Sequence, residues 1–398
     1  MSRLGPQEFE YIKRVFESEL LSWHTGTLAK ELEARFAKMH GVGFAVASNS
    51  CMSSLHEAVA AAGAGPGKEV ICDPIVHFGA ASAMYHNAVP VFADVDPYTY
   101  NMDPDSAAAL INERTVAILV TNIFGAPAHL SRLRALADDH GIRLIEDNAQ
   151  AIGATHVSDT GERRLTGAWG HMGCFSFEQS KQITSGDGSI AISDDQELAN
   201  EMRKVGLIGW TPEVRRDPIE RGKMGRLGWN YRMTELTAAL LMGQLDRFDE
   251  IIGRHREAAR RLADVIADCP WLVPQRCSTP DDDNTYYQFA VRFEGDRFGL
   301  PMERFKALCE EHNAEMRFHY TKVAACNLPM FTEPRAYGLG CPIHCPHYTG
   351  NARYGADVTP VAQDVLDRLM LMPYFDNDAF MDGLQKVIDI VGIKGKPQ

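Results

Sequence analysis

No stretch of the sequence approaches the roughly 20 unbroken apolar residues a helix needs to cross a bilayer, so no membrane association is expected. The N-terminal MSRLGPQEFEYIKR is polar and lacks the apolar centre of an export signal, which points to a cytoplasmic protein. Basic residues are in deficit. Lys and Arg number 40 against 53 Asp and Glu, a formal net charge of -13, and without a basic surface to neutralise phosphates nucleic acid is not expected as a partner. The nine cysteines are an odd number without paired spacing, and several sit in apolar segments, such as Cys72 in EVICDP and Cys174 in MGCFSF. That pattern suits small buried thiols in a reducing compartment rather than a disulfide framework. One local cluster, Cys341, His344, Cys345 and His347 in GLGCPIHCPHYTG, matches no common zinc spacing and is broken by prolines, so it reads as a loop with no metal. Internal repeats and low-complexity tracts are absent as well.

The composition that remains is ordinary for a globular chain, and 398 residues exceed what one core fills efficiently. Two domains are expected, residues 1–250 and residues 251–398. In the first, short apolar runs alternate with helical patterns. The runs are GFAVAS (43–48), EVICD (69–73), VPVFADVD (89–96), VAILVTN (116–122), IRLIED (142–147), MGCFSF (172–177) and SIAIS (189–193). Segments such as SSLHEAVAAAG and LSRLRALADDHG place apolar residues at three- and four-residue steps between them. This is the signature of an α/β domain with a mostly parallel sheet covered by helices on both faces, whose ligands gather beyond the carboxyl ends of the strands. A single long helix is expected over 233–267. Beyond the polar linker CSTPDDDNT a smaller α+β domain follows, with strands at TYYQFAVRF and AEMRFHY and helices at MERFKALCEEH, VAQDVLDRLMLM and DAFMDGLQKVIDIV.

Three segments of the first domain end where such a sheet presents ligands. SNSCMSSLHEA is a strand, a turn of small residues and a helix start; its free amides suit a phosphate, although serines there also serve as plain helix caps. In LIEDNAQAIGA, Asp147 follows an apolar strand, and burying a carboxylate is costly unless a cation or donors meet it. No lysine or arginine is near it in sequence, so the partner comes from elsewhere in the fold or from a ligand. In CFSFEQSKQITSGDGS a single lysine, Lys181, stands between the aromatics Phe175 and Phe177 and a turn of small residues. A lone lysine at a turn is usually a solvated charge, whereas desolvation lowers its pKa and frees the amine for Schiff-base chemistry. Taken together, the segments meet the demands of pyridoxal phosphate: an amine for the aldehyde (Lys181), an anion for the protonated ring nitrogen (Asp147), donors for the phosphate (the 48–54 turn and Ser176) and an aromatic face (Phe78).

EDNAQAIGA, CFSFEQSKQITSGDG and GWNYRMTELTAALLMGQLDRFD, in that order and at these separations, resemble the DegT/DnrJ/EryC1/StrS family of pyridoxal-phosphate-dependent sugar and aminocyclitol aminotransferases of fold type I. The likeness begins near LLSWHTGTLAKELE and thins in the C-terminal domain to RFHY and LMLMPYF. It implies that Lys181 carries the cofactor as a Schiff base and then shuttles the proton, that Asp147 pairs with the ring nitrogen, and that Gln150 sits near the ring hydroxyl. Phe78 in DPIVHFGAA matches the stacking aromatic, and the backbone at Cys51 and Met52, with Ser176, matches the phosphate seat. Asn230 matches a residue that reaches the phosphate of a neighbouring subunit, which implies a homodimer with shared sites. Met52 stands where the family usually has threonine, and SGDGS replaces the usual Gly-Glu-Gly-Gly. Family members that dehydrate a keto sugar tend to carry histidine at the lysine position, so Lys181 favours transamination, from glutamate or glutamine to a keto-sugar or keto-cyclitol. Sugar dehydration and a non-catalytic regulatory role stand as the alternatives. FEQSK resembles the aminocyclitol and aminohydroxybenzoate branch more closely than the nucleotide-sugar branch. The basic segment TPEVRRDPIERGKMGR is either a seat for an anionic substrate, through Arg215, Arg216, Arg221, Lys223 and Arg226, or a solvated loop.

Overall fold

The structure, a computed structural model, describes residues 3–210, 226–333, 336–373 and 377–393. Seven of the apolar runs become one sheet: β1 (Phe44–Ser48), β2 (Glu69–Cys72), β3 (Val89–Phe92), β4 (Thr115–Thr121), β5 (Arg143–Asp147), then, after the small hairpin β6 (Thr155–Val157) and β7 (Arg163–Leu165), β8 (Met172–Ser176) and β9 (Ser189–Ser193). Their order is β1-β9-β8-β5-β4-β2-β3. Every pair from β3 across to β8 is parallel, and β9 runs antiparallel to both of its neighbours, so the sheet is mixed but mostly parallel.

Alternate residues of these strands enter opposite cores, which is why the runs are apolar throughout. Helices α1 (Pro6–Ser18) and α2 (Leu28–His40) precede β1; Val70, Cys72, Ala117 and Leu119 pack with helices α3 (Cys51–Ala61) and α4 (Phe78–Tyr85) on one face. Ile71, Ile118, Val120 and Leu144 meet the helix Leu130–Asp139 on the other. At the far end of that second face, Phe175, Ile190 and Ile192 pack against the helices Leu28–His40 and Glu235–Asp246.

The expected single helix over 233–267 is two, Glu235–Asp246 and Phe248–Ile266. Arg247 leaves helical geometry (φ -108°, ψ 12°), its amide bonding back three residues to Gln244 rather than four. The break lets the Arg247 guanidinium reach the buried carboxylate of Glu8 while Phe248 packs on Gly153.

The C-terminal part builds a second sheet from β10 (Leu272–Pro274), β11 (Phe289–Phe293), β12 (Arg317–Phe318) and β13 (Leu369–Met372), in the order β10-β11-β13-β12. The expected helix over VAQDVLDRLMLM stops at Arg368, and LMLM is a central strand with all four residues buried. A short apolar run has no period that separates a buried helix turn from a buried strand, and pairing on both sides decided it. The strand expected at TYYQF begins only at Phe289, because Tyr286 lies in the left-handed region at φ 49°. The linker before it is pinned to the small β6–β7 hairpin: Asp282 accepts from His156 and from the Val157 amide, and Asp283 pairs with Thr155 through the backbone.

Candidate active site

The carboxyl ends of β5 and β8, the N-termini of α3 and α4, and the loop 177–188 converge on one cavity of about 380 Å³. Cys51, Met52, Phe78, Asp147, Gln150, Ser176 and Lys181, which are distant in sequence, all line it. Asn230 does not; it is exposed, paired through the backbone with Leu207.

Asp147 ends β5 with 2% of its surface exposed, and its neighbour in sequence shows what a purely structural carboxylate looks like in this setting. Glu146, on the opposite side of the strand, is surrounded by donors: the amides of Gly167, Trp169 and Gly170 and the Asn122 side chain. Asp147 accepts from the Ala149 amide at 2.9 Å, and among the described residues no lysine or arginine forms an ion pair with it. Burial pushes its carboxyl above the ordinary value, against the Ala149 hydrogen bond and the more distant Lys181 charge. Burial raises Glu146 as well, so the scarcity of donors, not the raised carboxyl, is what singles out Asp147 as a seat for a cationic ligand.

Lys181 is half-buried, its own amide bonded to the Glu178 carbonyl and its carbonyl to Arg3 at 2.7 Å. Helix α3 opens with Ser50 as its cap, the side chain accepting from the Ser53 amide. The next two amides, at Cys51 and Met52, belong to the first helical turn, which has no acceptors of its own, and the helix dipole favours an anion beside them. Burial pushes the Cys51 thiol well above its ordinary value, so it stays protonated beside Asp147. Phe78 is 41% exposed, unusual for its size, because its ring opens onto the cavity. Gln150 is held at both ends, its oxygen accepting from the Phe124 amide and its nitrogen donating to the Tyr320 hydroxyl. Burial pushes Tyr320 up to about 12, so that hydroxyl stays neutral.

The amine, the under-bonded carboxylate, the anion-favouring helix start and the aromatic wall fit pyridoxal phosphate, group for group. Tyr287 and Tyr320 complete the wall from the C-terminal half, and Glu178, Ser180 and Asp187 from the lysine loop. Sequence reasoning missed these five. RFHY was visible as a strand end, but nothing in TYYQF marks Tyr287 as facing a cavity rather than a core. Of the basic segment, Arg215, Arg216, Arg221 and Lys223 lie outside the described residues, while Arg226 binds Glu201 and the Ala60 carbonyl rather than lining the cavity. Cys341 and Cys345 are free thiols, and among the described residues no three His, Cys, Asp or Glu side chains are grouped to hold a metal.

Comparison with known proteins gives a consistent picture. A family model described as the DegT/DnrJ/EryC1/StrS aminotransferase family matches residues 3–344. An L-glutamine:2-deoxy-scyllo-inosose aminotransferase of Streptomyces kanamyceticus is 36% identical over 75% of this chain and 69% of its own. The spore coat polysaccharide biosynthesis protein SpsC of Bacillus subtilis is 28% identical over 98% of this chain and 95% of its own. The crystal structure of a 3-amino-5-hydroxybenzoic acid synthase, 25% identical, superposes with a TM-score of 0.80 over 98% of this chain and 96% of that one.

Proposed function

The chain belongs to the DegT/DnrJ/EryC1/StrS aminotransferase family, and from that premise we propose how its residues divide the work of amino transfer. It is a pyridoxal-phosphate-dependent aminotransferase of amino-sugar or aminocyclitol biosynthesis. The substrate is a keto-sugar or keto-cyclitol, with glutamine or glutamate as donor; the name of the Streptomyces relative, which specifies glutamine and an inosose, supports the cyclitol. Residues 1–250 are taken as the cofactor-holding domain and 251–398 as the smaller one that closes the site.

Bound pyridoxal 5'-phosphate supplies an aldehyde that takes up the amino group and a pyridinium ring that draws electrons from the carbon losing its proton. Asp147 sets the protonation of that ring nitrogen by charge, in a site dry enough for the attraction to be strong. Lys181 anchors the aldehyde and, once its amine is free, accepts and returns the proton at Nζ. The Cys51 and Met52 amides and the Ser176 hydroxyl receive the phosphate. Phe78 covers one face and excludes water, and Gln150 orients the ring hydroxyl. The observation that carries this reading is the meeting of one amine and one under-bonded buried carboxylate in a single cavity at a helix N-terminus.

We propose further that the working unit is a cytoplasmic homodimer. The nine free thiols support a reducing compartment, and no helix among the described residues is long and apolar enough to cross a membrane. Asn230 is exposed and does not line the cavity of its own chain, and the helix Pro6–Ser18 exposes Phe9 and Phe16 at 65% and 72%, an uncovered apolar face suited to a second copy.

The test is to reduce the loaded enzyme with borohydride and map the modified peptide, which should carry the cofactor on Lys181. Lys181→Ala should lose this adduct and turnover, by about ten-thousandfold or more. Donor consumed in step with product identifies transamination; product without donor consumption would identify dehydration instead. Mixing Lys181→Ala with Asn230→Ala should restore activity if the sites are shared across a dimer.

A further inference from the structure

Tyr287 lies outside every motif behind the family resemblance, yet it faces the Lys181 amine: Nζ stands 4.4 Å from the centre of its ring. The ring is held there from several sides. Ser180 Oγ donates to Glu178 Oε2 at 2.5 Å, so its lone pairs are left to accept the Tyr287 hydroxyl at 3.0 Å. The backbone is held as firmly. Tyr286 keeps a φ of 49°, a conformation an aromatic residue holds only where its surroundings enforce it, and its amide donates to Asn284 Oδ1 at 2.6 Å. The linker then lies against the turn after β4, with Thr285 donating to the Gly125 carbonyl. Gly125 is itself at φ +103°, and a side-chain carbon there would stand 2.6 Å from the Tyr286 nitrogen and 2.8 Å from that of Tyr287. Only glycine lets the linker come this close.

An aromatic face attracts an ammonium and has no comparable attraction for a neutral amine. On the reading that Lys181 is the cofactor lysine, its amine is free for part of each cycle and needs a resting place. We propose that Tyr287 is the positioning residue for Lys181: its ring holds the freed side chain inside the cavity, aimed at the reacting carbon, and steadies the ammonium formed once Nζ has accepted the proton. The Glu178–Ser180 pair orients the ring, and the Gly125 turn delivers it from the C-terminal half of the chain. Lys181 is therefore controlled by a residue about a hundred positions away, so the seating of the linker and the readiness of the amine are coupled.

The test compares wild type, Tyr287→Leu and Tyr287→Phe as full-length proteins. In the cofactor-free chain, acetic anhydride labelling of Lys181 is followed over time at one pH by mass spectrometry. Removing the ring face should release the amine from its resting place and speed its modification by roughly threefold to tenfold. Tyr287→Phe, which keeps the face but loses the Ser180 hydrogen bond, should fall between wild type and Tyr287→Leu. In the loaded enzyme, Tyr287→Leu should lower kcat by a similar factor while the KM for the amino donor holds, a split that a general loss of structure would not produce. Labelling curves that coincide for wild type and a folded Tyr287→Leu would overturn the proposal. Should that variant fail to fold, Ser180→Ala, which frees the hydroxyl and leaves the ring, must speed labelling by a smaller factor; no change overturns it equally. Failure of the functional reading is separate, since it would appear as borohydride trapping at a residue other than Lys181.

Discussion

Replacing Asp73 by asparagine should stabilise the protein above neutral pH and leave it unchanged in acid. Asp73 follows β2 directly, with 5% of its surface exposed, and its Oδ2 accepts from the Thr121 amide at 2.9 Å. Burial dominates its titration, pushing the carboxyl from an ordinary 3.8 to about 7; the Thr121 and Val76 hydrogen bonds oppose that shift and the nearby Asp147 charge adds to it. The folded chain thus holds this proton more tightly than the unfolded chain. For a carboxyl raised in this way, stability is complete below the unfolded value and is lost as pH climbs through the window from 3.8 to about 7. At about 1.4 kcal/mol for each tenfold change in proton concentration, crossing that window costs the folded state about 4 kcal/mol. Asparagine keeps an oxygen for the Thr121 amide and carries no charge to desolvate. Denaturant unfolding of the cofactor-free chain, repeated at pH values on either side of the window, should show the variant's advantage growing from near zero to about 4 kcal/mol. Curves for the two proteins that keep a constant separation across pH would refute the desolvation argument.

Asp147→Asn should act in opposite directions on stability and activity. Burial raises this carboxyl too, so removing its charge should stabilise the cofactor-free chain at neutral pH, as thermal melting would show. Turnover should fall on the order of a hundredfold to a thousandfold, the cost of leaving a buried pyridinium without its counter-charge, read as kcat at saturating cofactor. Glu235 caps the helix Leu28–His40 by accepting from the amides of Leu28 at 2.7 Å and Ala29 at 3.1 Å. Glu235→Ala strips two charge-assisted bonds from a buried helix end and should destabilise the chain by about 3 kcal/mol, measured as a drop in the denaturant midpoint.

Much of the site could be read along the chain because its parts sit at the ends of strongly patterned elements. A strand closing on Asp147, a serine-rich turn before α3 and a lysine in a small-residue loop each carry a local chemical oddity. Those oddities, and the three ordered motifs, were sufficient to name the family and the cofactor. Where local pattern ran out, the reading erred or stopped. LMLM in β13 has the composition of either a helix end or a strand, and only its pairing with β11 and β12 decides between them. Helical periodicity passes through Arg247 without a mark, yet a buried partner at Glu8 breaks the helix there.

Apolar period, turn chemistry and the placement of a few charged residues in uncharged surroundings are properties of neighbours along the chain. By itself, therefore, the sequence determined the α/β class and the family, and it marked the strand ends and the lysine as candidates for the chemistry. Which side chains share a cavity depends on contacts between residues far apart in the chain, and these have no local signature. The fold alone decided that Glu146 is saturated with donors while Asp147 is not, that Asn230 stays outside its own chain's cavity, and that a tyrosine from the far side of the linker faces the amine.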